Sequence, residues 1–128
     1  MTQEEKDLLL KVLCAMLPYG VKCINVNWPK DGYVRVYNIR VKEQKIQIFE
    51  DWADIEYCKP YLRPMSSMTE EEIKELNKID LNRVIFSSRH LTYHLDGAII
   101  DYLNSHHFDY LGLIEKGLAL EAPEGIYN

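Results

Sequence analysis

The sequence predicts a single α+β domain over residues 1–128, with an N-terminal helix packed on a three- to four-stranded antiparallel β-meander and a helical C-terminal half. Three observations lead there. Thr2 and Glu5 form a capping pair ahead of Leu9, Val12, Leu13 and Met16 at helical spacing. Three short β-branched runs then follow, separated by turn residues. From a second capping pair, Thr69 and Glu72, the apolar period returns to that of helices.

The first helix is expected from Gln3 to Leu17 and ends at Pro18-Tyr19-Gly20. Leu8, Leu10, Cys14 and Leu17 widen its apolar stripe, which asks for a sheet on one side and a second element or subunit on the other. A homo-oligomer is the expectation from that width.

Strands are expected over Val21 to Trp28, Tyr33 to Val41 and Lys45 to Glu50. Pro29-Lys30-Asp31-Gly32 supplies turn chemistry between the first two, and Lys42-Glu43-Gln44 a short polar link to the third. Ile46 and Ile48 share one face of the third run, the face that the first helix covers. In the second run Val34 and Val36 oppose Tyr33, Arg35, Tyr37, Ile39 and Val41, a face of aromatics and arginine that reads as plain surface or as a ligand wall.

Asp51 to Tyr57 reads as a connecting loop with a short edge strand. Pro60 and Pro64 hold the chain extended to about Ser66. A second helix follows from Glu70 to Ile79, with Ile73, Leu76 and Ile79 inward. Val84 to Leu95 mixes both periods and reads as irregular chain with a helical turn. Asp96 caps a third helix, Gly97 to Ser105, that buries Ile99, Ile100 and Leu103, and a fourth is expected from Tyr110 to Lys116, stopped by Gly117. The tail from Leu118 to Asn128 is expected to lie extended on the surface.

Composition excludes several classes. With 15 basic and 20 acidic side chains, a net charge of -5 and no basic run, the chain is not expected to bind duplex nucleic acid. One phosphate group needs only an arginine or two and some amides, so a small anionic ligand remains open. Three scattered cysteines, Cys14, Cys23 and Cys58, fit a reducing cytoplasm. The acidic start Thr2-Gln3-Glu4-Glu5 and the lack of a long apolar run predict neither export nor membrane insertion.

The search for reactive groups finds no G-x-S-x-G elbow, no Cys/His signature and no glycine-rich phosphate loop. No catalytic residue and no cofactor are therefore assigned, and a non-enzymatic protein is favoured. His90 and His94, at spacing four, could ligate a metal on a helix, whereas on a strand they stand roughly 13 Å apart and cannot share an ion; Leu91-Thr92-Tyr93 between them is poor helix, so no metal site is expected. His106 and His107 suit the C-terminal end of the third helix.

Binding chemistry is better represented. Arg63 with Ser66, Ser67 and Thr69 places one guanidinium and three hydroxyls at a helix start, where free amides and the helix dipole favour an anion. Ser87-Ser88-Arg89-His90 forms a second cluster, and Tyr61 and Tyr93 offer rings to a base. The expected ligand-binding residues are Tyr61, Arg63, Ser66, Ser67, Thr69, Arg89 and His90.

The stretches Lys59 to Glu72, Phe108 to Pro123 and Leu17-Pro18-Tyr19-Gly20-Val21-Lys22 resemble small proteins encoded by phages, prophages and mobile elements of gut Bacteroidales. Leu111 departs from the arginine common at that place. This group carries no assigned activity, so the resemblance implies a setting, the cytoplasm of a bacterial host, and no mechanism. In that setting one expected function is an anti-defence protein that sequesters a small phosphorylated ligand, such as a cyclic nucleotide immune signal. The alternative is an inhibitor that covers a host defence protein through tyrosines and acidic surface.

Overall fold

The structure, a computed structural model, describes residues 1–27, 32–79, 85–86, 91–92 and 97–127. Its elements are α1 (Gln3–Met16), β1 (Lys22–Asn25), β2 (Tyr33–Arg40), β3 (Lys45–Ile48), β4 (Asp51–Asp54), β5 (Cys58–Leu62), α2 (Glu70–Ile79), β6 (Ile85–Phe86), β7 (Leu91–Thr92), α3 (Gly97–Ser105) and β8 (Leu120–Glu121). The α+β class stands. The sheet is larger than the expected meander: six strands in the order β4-β3-β2-β1-β5-β8, antiparallel except for the parallel pair β5 and β8.

Helix α1 starts as its capping box requires, with the Glu5 amide donating to Thr2 Oγ1 at 3.1 Å and the Thr2 amide donating to Glu5 Oε1 at 2.9 Å. Pro18 sits in a 3₁₀ turn, Leu17–Tyr19, and Gly20 closes it at φ 71°, where a side chain is strained. The helix lays Leu9, Val12, Leu13 and Met16 on the sheet face formed by Cys23, Val34, Val36, Ile46, Ile48 and Leu62. Of the residues that widen its stripe, Leu10 is buried and Leu8 and Leu17 are partly buried against the same core, which Leu111, Leu113, Ile114 and Leu118 join, whereas Cys14 is exposed.

A bulge between Val36 and Asn38 shifts the phase of β2. Val36 and Ile39 therefore both face the core, opposite Ile48 and Ile46, although simple alternation predicts that Ile39 faces out with Tyr33 and Arg35. Asp51 to Tyr57 resolves into the edge strand β4 and a 3₁₀ turn, Ile55–Tyr57, that buries Ile55.

The extended run before α2 is more than a stiff loop. Pro60 is tolerated inside a strand, and β5 lies between β1 and β8 with Cys58, Pro60 and Leu62 inward. Helix α2 matches its expected bounds, but Ile79 at its end is 40% exposed and Leu76 carries the burial. With α3 it encloses a second core of Met68, Leu76, Ile99, Leu103 and Phe108.

Two expectations fail in the C-terminal half. Of Val84 to Leu95 the structure describes Ile85–Phe86 and Leu91–Thr92, which pair antiparallel; the expected helical turn falls on residues outside the described ones. The expected fourth helix is a series of turns, because Gly112 sits at φ 74° inside it and the Asp109 carboxylate takes the Leu113 and Ile114 amides at 2.8 and 2.9 Å. The tail is built in rather than laid on the surface: Leu118, Ala119 and Ile126 are buried, and the Ala122 amide donates to Leu62 O at 2.8 Å. The Asp96 cap lies outside the described residues.

Candidate functional site

Arg63 leaves β5 with its guanidinium over the Phe108 ring, 4.2 Å from the centroid, and forks onto Glu72 with Nη1 to Oε2 and Nη2 to Oε1 both at 2.7 Å. Glu72 also takes the Thr69 amide at 3.0 Å, so the capping box of α2 and the arginine share one carboxylate. Burial pushes that carboxyl up, but the hydrogen bonds from Arg63 and from the Thr69 amide outweigh it and hold Glu72 at about 2. The guanidinium is thus neutralised locally.

A cleft of about 650 Å³ opens beside this pair. Arg63, Ser67 and Thr69 form one wall, His106 and His107 another, and the tail from Glu121 to Tyr127 a third. Ser67 donates its hydroxyl to Pro64 O at 2.7 Å and Ser66 does not line the cleft. Glu121 and Glu124 add two acids to it. The structure brings Arg63, Ser67 and Thr69 together as expected, yet the charge of the cleft is wrong for a phosphate. Arg89 and His90, with Tyr93 and His94, lie outside the described residues.

His106 plays the helix-end part expected of it, with Nδ1 3.0 Å from Tyr102 O. His107 does something else. It takes the left-handed position after α3 at φ 61°, while the amides of His107 and Phe108 return to Asn104 and Leu103 at 3.1 and 2.9 Å. Its ring bonds Tyr19 O through Nε2 at 2.8 Å and stacks on Tyr127 with centroids 3.6 Å apart.

Tyr61 belongs to a different surface. Pairing of Lys22 with Arg35, and of Ile24 with both Tyr33 and Lys59, puts these residues and Tyr61 on the sheet face away from α1. Tyr33 is 51% exposed there, its ring edge-on to Tyr61 at 6.2 Å with the Lys22 ammonium 5.3 Å from its centroid. Further along the face Arg40 pairs with Lys45, and Arg40 also lies 4.1 Å from the Trp52 ring. Tyr37 is 56% exposed at the bulge.

Charge on this face is one-sided. Lys22, Arg35, Arg40, Lys45 and Lys59 share it with one acid in register, Asp54, whose carboxylate caps the turn at Glu56. Among the described residues the ion pairs are Met1 with Glu56 and Arg63 with Glu72, so none of these five cations is in an ion pair there, although the Lys22 ammonium donates to Ile126 O at 2.7 Å. The alternation of β2 pointed to this wall through Tyr33, Arg35 and Tyr37; Lys22 and Lys59 become visible only when β1 and β5 flank that strand.

Among the described residues no group of three His, Cys, Asp or Glu is placed to hold a metal ion, and no helix is long and apolar enough to cross a membrane. Cys23 and Cys58 are buried; the contact with Cys23 and burial push the Cys58 thiol up, away from the reactive thiolate. A scan of family models, a search of curated proteins and a search of solved structures each give no match.

Proposed function

We propose that this chain is a non-enzymatic binding protein for a small phosphorylated ligand of the nucleotide class, seated on the open sheet face rather than at the start of α2. The observation that supports it is the grouping of Tyr33, Tyr61, Lys22 and Arg35, in which exposed ring surface adjoins cations that are in no ion pair with a described residue. A base stacks on such a ring, and a guanidinium meets phosphate through two parallel hydrogen bonds. No bond is made or broken in this reading, so the protein acts by holding its ligand. In a bacterial cytoplasm, capture of a cyclic nucleotide immune signal is the consequence that fits.

A second reading, an inhibitor that covers a host protein, draws on exposed Tyr37, Val41 and Phe49, each 56% exposed. Thermal-shift and calorimetric titration against mono-, di- and cyclic nucleotides separates the two. A ligand at about a hundred times its Kd adds roughly 2.7 kcal/mol and moves the melting point by several degrees. The shift should vanish in Arg35→Gln and Tyr33→Ala. A flat panel with the wild type contradicts the nucleotide reading and favours the second.

A further inference from the structure

We infer that the sheet face takes a short single-stranded nucleic acid laid across its strands, which extends the nucleotide reading above and rests on it. Rings and cations do not end at the Tyr33 and Tyr61 group; they run from Lys59 and Tyr61 on β5, through Lys22 on β1 and Arg35 on β2, to the Arg40 and Trp52 pair that joins β2 to β4. Four strand-to-strand steps cover about 19 Å, which one nucleotide does not fill and a short strand does.

The chain as a whole carries -5, yet five cations in no ion pair with a described residue collect on one face. A single phosphate answers one or two of them, and a row of phosphates answers the set. The acids near the face restrict the path. Asp54 lies beside Lys45, and Glu50 and Asp51 border Tyr37 at the β3 to β4 turn, so the phosphates gather over Lys59, Lys22 and Arg35, and the far end of the strand meets Arg40 and Trp52 through its bases.

Tyr33 and Tyr37 stand exposed on an open sheet, where unstacked bases reach their rings. Duplex bases are already stacked on one another and offer these rings nothing. The occupant is therefore a single strand, read through stacking and charge rather than base edges, with little sequence preference.

Fluorescence anisotropy with labelled oligothymidylate and oligouridylate of about four, eight and twelve nucleotides tests this, with a mononucleotide as competitor. Affinity should rise at least tenfold from the mononucleotide to the octamer. The logarithm of the binding constant should fall with the logarithm of salt at a slope of about -2 to -3, from three or four phosphate contacts. Tyr33→Ala should weaken octamer binding about tenfold, and Arg35→Gln should lower the salt slope by about 0.7. Both side chains are exposed, so neither change removes core packing.

Equal affinity for mononucleotide and octamer overturns the strand inference and leaves the nucleotide reading in place. Binding of neither removes both. A duplex bound as tightly as the single strand also overturns the inference, because charge alone then accounts for the contact.

Discussion

Arg63 and Glu72 hold each other through two hydrogen bonds of 2.7 Å, so the arginine at the start of α2 is structural before it is anything else. The pair is largely out of water, with side chains 24% and 13% exposed.

Removing one partner therefore costs stability. Arg63→Ala should destabilise the protein by about 2 kcal/mol, because the Glu72 carboxylate keeps only the Thr69 cap and loses its counter-charge. Urea unfolding measures it. An unchanged midpoint would mean that the pair is loose in solution.

The same carboxylate sets an acid limit. Glu72 stands at about 2 in the folded chain against an ordinary value of 4.5. A depressed folded value means stability that is present above about pH 4.5 and lost as pH falls toward 2. Discounting the shift for partial solvent access, the loss is on the order of 2 kcal/mol. Glu72→Gln should be less stable at neutral pH and flatter across that window.

His107 adds a second pH dependence of the same sign. Burial holds its pKa below the usual histidine value, and the Nε2 hydrogen bond to Tyr19 O offsets this only in part. The unfolded chain then binds more protons, so stability falls as pH drops below about 6.5 and through the lower folded value. His107→Gln keeps a donor for Tyr19 O and removes the titration. Its stability should be nearly level from about pH 7 to pH 5, where the wild type declines.

The tail carries its own test. The Tyr127 hydroxyl accepts from the Lys22 amide at 2.9 Å and donates to Tyr61 O at 2.6 Å, filling the gap where β1 and β5 separate. Tyr127→Phe leaves both backbone groups without that partner and should cost about 1 to 3 kcal/mol. Amide exchange at Lys22 should quicken in the variant.

These contacts mark where sequence reasoning stops. Both capping boxes, all three α-helix starts and the buried faces of β2 and β3 before the bulge follow from local spacing, because each is decided within a few residues. What local spacing does not carry is partnership across the chain. The link between Lys22 and Tyr127 spans 105 positions, and nothing near Tyr127 announces it. Arg63 looked free for the same reason: Glu72 was legible as a cap, and that it also meets Arg63 follows only from how β5 approaches α2. The fourth helix failed locally, on Gly112 and on the Asp109 carboxylate taking the Leu113 and Ile114 amides, which a helix from Tyr110 would have bonded to the carbonyls of Asp109 and Tyr110.

The most direct test of the binding face is an NMR titration of labelled protein with a mononucleotide, following backbone amides. The account expects shifts at Lys22, Tyr33, Arg35, Lys59 and Tyr61, with Ser67, Thr69 and His106 unmoved. Shifts confined to Ser67, Thr69 and His106, or absent throughout, would contradict it.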